Sequence, residues 1–263
     1  MSLRNVNVAL VHGVWADGSS WSRVIERLAA RHFDAVAAPL PLTSLGDGTA
    51  ALERSLARIE GPVVLVGHAY AGAVIGSVRA ANVKALVYVA ALAPDEGETV
   101  ADVFHRGDAH QLAPMLVPDR DGLIWLPRDA FENAFAHHST ASEASLLAAI
   151  QRPIGAACIG EPVGRPSWKD LPSWFLVAGQ DRMNAPRDRA FDRPAHRRAH
   201  PRVRRRSHAE RDGARHRRRS HRRGGTGGIH RLNRITREVD VMPLTTSRVC
   251  IRIHHPRYFS HGE

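Results

Sequence analysis

Residues 63–74, Val-Val-Leu-Val-Gly-His-Ala-Tyr-Ala-Gly-Ala-Val, leave this chain few folds to choose from. Val63 to Val66 are four consecutive apolar residues, which reads as a strand buried on both faces. Gly67 and Gly72 frame a tight turn, and the small residues from Ala71 to Val74 open a helix with no intervening loop. A strand that runs straight into a helix belongs to a parallel sheet with helices packed over it.

The rest of the first half repeats that grammar. Val6 to Val11 is a short apolar run ending at His12-Gly13, and reads as a strand. Ser19 or Ser20 offers a cap for a helix in which Trp21, Val24, Ile25 and Leu28 recur at helical spacing. A strand is expected at Ala35 to Ala38, a helix at Ala50 to Ile59, and a strand at Pro62 to Val66. A helix at Ala71 to Ala81 and a strand at Val83 to Leu92 follow. From Pro94 to about Arg165 short helical pieces, among them Ala130 to Ala136 and Ser142 to Ile150, are broken by prolines and glycines. Such an insertion after a strand end predicts a helical lid over the carboxyl edge of the sheet. Trp174 to Ala178 restores a strand that ends at Gly179-Gln180-Asp181. The fold class is therefore α/β, a doubly wound, mostly parallel sheet with a lid at about 94–165.

Charge divides the chain in two. Residues 1–184 carry 15 Lys+Arg against 19 Asp+Glu, a net of −4, and residues 185–263 carry 22 against 7, a net of +15. The two sum to the overall +11, so the basic excess belongs entirely to the second part. A core that is mildly acidic gives no electrostatic reason to expect nucleic acid. Between Ala185 and Arg223, 16 of 39 residues are Arg and five are His, with Phe191 and Val203 the only large apolar residues. No period survives there, and Gly224 to Glu263 shows scattered apolar residues without sustained pattern, so 185–263 is expected to be a disordered tail. It has few aromatic residues for stacking on bases. Two cysteines, Cys158 and Cys250, imply no disulfide framework. With no leader and no apolar run of spanning length, a cytoplasmic protein that does not enter a membrane is expected.

In the G-x-S-x-G turn between strand and helix, a strained backbone pushes a nucleophilic serine out of the sheet top. Here the frame is Gly67-His68-Ala69-Tyr70-Ala71-Gly72, and position 69 is a methyl group that cannot attack a carbonyl. Together with Val11-His12-Gly13-Val14-Trp15-Ala16-Asp17-Gly18-Ser19-Ser20-Trp21, Pro41 to Leu45, Leu86 to Ala91, Ala93 to Glu98 and Ser173 to Met183, this pattern resembles the α/β-hydrolase superfamily. The resemblance is to bacterial small hydrolases related to plant methylesterases and hydroxynitrile lyases, and it covers residues 5–184. It implies that the backbone N–H groups of Val14 and Tyr70 form an oxyanion hole. It also implies that Asp181 stands where the acid of a catalytic triad would, that Ala69 occupies the nucleophile position, and that Ala71 replaces a glycine. His12, Gly13, His68 and Trp125 are expected around a pocket for a small-molecule ester or related carbonyl substrate, with no cofactor. Trp125, Phe131 and Phe135 suggest that the pocket is apolar.

Such proteins carry their catalytic histidine in an Asp-His-x-Pro segment before the last helix, and this chain has no counterpart. The composition of the tail offers a reason, since Arg/His/Ala/Pro/Gly mixtures are what GC-rich DNA gives out of frame. Taking the last two bases of each codon with the first of the next, Arg206 to Ala214 permit Asp-His-Thr-Pro-Ser-Val-Thr-Ala-Pro. Arg197 to Arg205 permit Gly-Ala-Arg-Ile-Arg-Ala-Phe-Asp-Val, a strand leading into it. A frameshift near residues 184–187 is the corresponding expectation, and the nucleotide sequence tests it. The edge at 174–178 is then expected to lie open.

Two readings of Ala69 stand side by side, loss of the serine route or a chemistry that never used serine. The functional residues also have plainer roles. His68 suits second-layer packing in the turn, His12 the shaping of a strand-end loop, and Asp181 a solvated loop position. His137-His138 and His254-His255 are adjacent rather than four apart on a helix, so no metal site is expected. Gly224 to Gly228 lacks the Lys-Ser/Thr ending of a phosphate loop. The chain reads as an esterase-like pseudoenzyme, with a serine-independent histidine/aspartate enzyme and a non-catalytic ligand binder as alternatives.

Overall fold

A computed structural model describes residues 6–107, 110–183, 235–236, 238 and 249–254. Strand β1 (Asn7–Val11) leads through one 3-10 turn (Gly18–Trp21) into helix α1 (Ser22–Ala29), followed by β2 (Asp34–Ala38) and α2 (Leu45–Leu56). Then come β3 (Val63–His68), α3 (Ala71–Ser77) and β4 (Val83–Val89). Residues 94–165 hold α4 (Val100–Phe104), β5 (Leu123–Ile124), the short α5 (Arg128–Ala130) with a π turn at Phe131–Phe135, α6 (Ala141–Ile150), β6 (Ile154–Gly155) and α7 (Ala156–Gly160). The chain returns to the sheet with β7 (Ser173–Ala178), and β8 (Val249–His254) lies at its far side.

The main sheet runs β2-β1-β3-β4-β7-β8, with the first five strands parallel. The alternation of side chains along the buried strands builds two cores. Ala9, Val11, Val63 and Leu65 face α2 and α3 with Leu52, Leu56, Val74 and Ile75. Val8, Leu10, Val64 and Val66 face the other way, onto Trp21, Val24 and Leu28 of the α1 side. This two-sided burial is why β3 is buried at every position and apolar from Val63 to Val66, as a doubly wound sheet requires.

Several boundaries differ from the sequence reading. Helix α2 starts at Leu45, five residues before the expected Ala50, because Ser44 caps it by accepting from the Asp47 N–H at 2.9 Å. Gly46 and Gly48 in its first turn hide the helical signal. No serine caps α1: Asp17 caps the 3-10 turn that leads into it, its carboxylate accepting from the Ser19 N–H at 2.8 Å, and Trp21 at the start of α1 makes no side-chain cap. The antiparallel ribbon β5–β6 was not foreseen, since two-residue strands leave no period to read.

The largest difference lies at the β7 edge, which is not open. β8 pairs antiparallel with it along its whole length, from Ser173↔His254 to Ala178↔Val249. Val249, Ile251 and Ile253 alternate with Cys250, Arg252 and His254, a period-two signal that the unpatterned surroundings obscured. Ile235 is fully buried in the α1-side core, and the Glu238 carboxylate accepts from Arg27 Nε at 3.1 Å. Residues 184–234 and Gly224 to Gly228 within them lie outside the described residues. Among the described residues no helix is long and apolar enough to cross a membrane.

Candidate active site

The turn after β3 has the backbone its sequence implies. Ala69 takes φ +49, the left-handed region that non-glycine residues avoid and that marks strained functional turns. It is held there from three sides. Its N–H donates to the Val89 carbonyl at 3.2 Å, and its own carbonyl accepts from Gly72 at 3.1 Å and Leu92 at 3.0 Å. A Cβ on Gly67 would come within 2.9 Å of the Ala71 carbonyl oxygen, so the strand and helix can meet this closely only at glycine. A Cβ on Gly13 would stand 3.0 Å from His68 Nδ1 and 3.1 Å from the Ala69 Cβ. The loop after β1 thus packs directly on the turn.

Above the turn lies a cavity of about 480 Å³. Val14, Trp15, His68, Ala69 and Tyr70 line it, with Asp181 from the end of β7 and a largely apolar wall supplied by residues 92–159 and Met183. The structure therefore brings five of the singled-out positions together: Val14, His68, Ala69, Tyr70 and Asp181. Among the described residues the backbone N–H groups of Val14 and Tyr70 donate no hydrogen bond. Asp181 Oδ1 accepts from the Met183 N–H at 2.8 Å, which fixes the carboxylate against its own loop.

Burial lowers the ionisation of both histidines beside the turn, His12 and His68. His12 Nε2 accepts from the Leu40 N–H at 3.1 Å, so its proton sits on Nδ1, which donates to the Gly13 carbonyl at 2.9 Å. With both nitrogens used on backbone, His12 shapes the loop beneath the cavity and does not line it. Burial holds its ionisation below the ordinary imidazole value, with a contribution from the Arg152 charge. His68 is pushed down to about 4 by desolvation and by His12 nearby. Its Nδ1 finds no hydrogen-bond partner among the described residues, and its ring meets Trp21 edge-on at 6.4 Å. Burial raises the Tyr70 phenol, which lies beside the buried Cys158 thiol, so the phenol stays protonated.

Trp125 does not join the cavity. It is 47% exposed, and its indole N–H donates to Asp119 at 3.1 Å. Phe131 is buried in the core and Phe135 reaches the cavity wall. Sequence reasoning missed His105 and Phe104, which line the cavity from the end of α4. The signal was there: Thr99 and Asp102 form a reciprocal capping box that starts this helix. Among the described residues no three metal-ligating side chains gather, and the His137 and His138 rings lie 4.1 Å apart, tilted at 45° to each other.

A fold of this kind has solved counterparts. An extracellular α/β-hydrolase from a Paenibacillus species superposes with a TM-score of 0.54 at 18% identity, covering 65% of this chain and 76% of its own. Polyneuridine aldehyde esterase gives 0.60 at 13% identity, covering 72% and 86%. A histidine variant of tomato methylketone synthase I complexed with beta-ketoheptanoate gives 0.52 at 18%, covering 67% and 80%. At these identities the likeness shows the fold. No curated protein matches the chain. The sequence profile of the "Alpha/beta hydrolase family" matches residues 8–223, through the turn, the cavity wall and the last parallel strand. This chain belongs to the alpha/beta hydrolase family.

Proposed function

We propose that the chain is a homologue of hydrolases of small ester or carbonyl compounds that no longer runs the serine route. Its cavity receives an apolar carbonyl compound whose oxygen faces the N–H groups of Val14 and Tyr70. The observation that carries this reading is Ala69 at the left-handed apex of the turn, on the cavity floor. The strain that presents a nucleophile is kept while the nucleophile is a methyl group. Loss of a triad serine costs on the order of 10⁶ in turnover, so the acyl-enzyme path is closed at its first step. The unpaired N–H donors support a polarised oxygen as the ligand group. That one neighbouring structure is an esterase supports the ester or carbonyl class.

A second reading, a serine-independent enzyme that works through histidine and aspartate, draws on one observation. Asp181 shares the cavity with His68 and His105. We further propose that residues 185–263 are the product of a shifted frame and that the partner histidine of Asp181 is encoded in the neighbouring one. Esterase assays on three proteins separate these readings. The chain as it stands should release no 4-nitrophenolate from 4-nitrophenyl acetate above the uncatalysed rate. Restoring the frame alone should give activity only if the chemistry is serine-independent, and adding Ala69→Ser should restore it if serine was lost. Rapid ester cleavage by the chain as it stands, abolished by Asp181→Asn, overturns the proposal.

A further inference from the structure

Trp15 has the second improbable backbone in the cavity, with φ +57 on a large aromatic residue. Such a conformation persists only where several contacts fix it. Here the contacts come from a distant part of the chain. The Trp15 backbone N–H donates to the Arg152 carbonyl at 3.1 Å, and its buried indole N–H donates to the Ile124 carbonyl at 3.0 Å. Ile124 and Ile154 are paired residues of the β5–β6 ribbon, and Arg152 lies two residues before Ile154. The ribbon in turn is tied to the body of the fold, because the Gly155 N–H donates to the Leu42 carbonyl at 2.8 Å. The Trp15 ring also meets Phe135 edge-on at 6.1 Å.

We infer that Trp15 is a positioning residue: pinned by its indole to the ribbon, it holds the preceding Val14 N–H toward the cavity. The inference rests on the proposed role of Val14 as a donor to the ligand oxygen, and it adds what sets that donor. The Val14 N–H has no hydrogen bond of its own among the described residues, and the Gly13 carbonyl of the same planar peptide unit accepts from His12 Nδ1 at 2.9 Å. Its direction is therefore set from two flanks, by His12 through the Gly13 carbonyl and by Trp15 through the ribbon. Residues 123–155 thereby do more than wall the cavity; they set half of its oxygen-binding face. Tyr70, the other donor, is fixed separately by the turn after β3 and does not depend on the ribbon.

The test uses the full chain, isotope-labelled for NMR. Replacing Trp15 by Phe keeps a ring and removes the indole donor. Incorporating β-(3-benzothienyl)alanine at that position keeps the whole shape and removes only the N–H. In both proteins the amide order parameter of Val14 should fall clearly below the rigid level of about 0.85, with Tyr70 unchanged. A Val14 amide that stays rigid in the benzothienyl protein overturns the inference. A probe ketone, acetophenone, tests the reading beneath it. Its carbonyl stretch should move to lower frequency on binding the parent chain, and about half of that shift should be lost in the Phe variant as one of two donors goes. Binding to the parent without any shift sinks the oxygen-binding role of the cavity, while the Val14 order parameter still decides what Trp15 does.

Discussion

A Cβ built on Gly72 stands 2.3 Å from the carbonyl oxygen of Leu92. The first turn of α3 is therefore pressed against the chain leaving β4, and the same Leu92 N–H holds the Ala69 carbonyl at 3.0 Å. The turn that carries position 69 is fixed by this contact rather than by local propensity. Gly72→Ala must push two backbone segments apart, at a cost of about 3 kcal/mol. Urea unfolding should show the midpoint falling accordingly, and an unchanged midpoint would mean that the segments separate freely.

His68 makes the chain sensitive to acid. Its folded-state ionisation is pushed down to about 4, against an ordinary value of 6.5. Between those two values the unfolded chain binds more protons than the folded one, so stability is fully present above pH 6.5 and is lost as pH falls towards 4. The loss attributable to His68 is about 3 kcal/mol. His12 acts in the same direction, also through burial. His68→Gln should flatten the fall in melting temperature between pH 6.5 and pH 4 but leave the His12 part. An identical acid limb in the variant counts against this account.

The parts of the fold legible in the sequence were those written in long, one-character runs. Val63 to Val66 and Leu86 to Val89 announce themselves because both faces are buried, so no position has to be polar. The turn at 67–72 was legible because close backbone approach admits only glycine at its two ends, Gly67 and Gly72. Trp15 was invisible as a site residue, since nothing in its neighbours reports a hydrogen bond made 109 positions away. Trp125 misled for the complementary reason: an aromatic residue in an apolar stretch predicts burial, but the local Asp119 offers its indole an exposed partner. β8 carries an alternation of only six residues, too short to stand out among the scattered apolar residues of 224–263.

The far end of the chain should matter for solubility. Arg27 and Arg31 both face the Glu238 carboxylate, at 3.1 and 3.5 Å, and Ile235 is buried beside α1. β8 closes the hydrogen-bonding edge of β7. A chain ended after residue 234 loses all three, and re-exposes an apolar strand edge of the kind that templates aggregation. Light scattering on the shortened chain should show particles growing with concentration, whereas Glu238→Ala alone should cost only about 1 kcal/mol, because both arginines are half exposed. A shortened chain that stays monomeric with an unaltered melt would mean that residues 235–254 add nothing to the core.

Restoring only the hydroxyl should not restore hydrolysis. Ala69→Ser would place an Oγ at the left-handed apex, on the floor of the cavity that Val14 and Tyr70 also line. Attack on an ester also needs a base within hydrogen-bonding reach. His68 is the adjacent imidazole, but it is buried beneath the turn with its ring edge-on to Trp21. Held down to about 4, it is also a weak base for a serine hydroxyl. The variant should therefore show no burst of 4-nitrophenolate from 4-nitrophenyl acetate, and mass spectrometry should find no acetyl adduct at position 69. A stoichiometric burst would mean that a base already reaches the apex, and that a single methyl-for-hydroxymethyl exchange is all that silences this site.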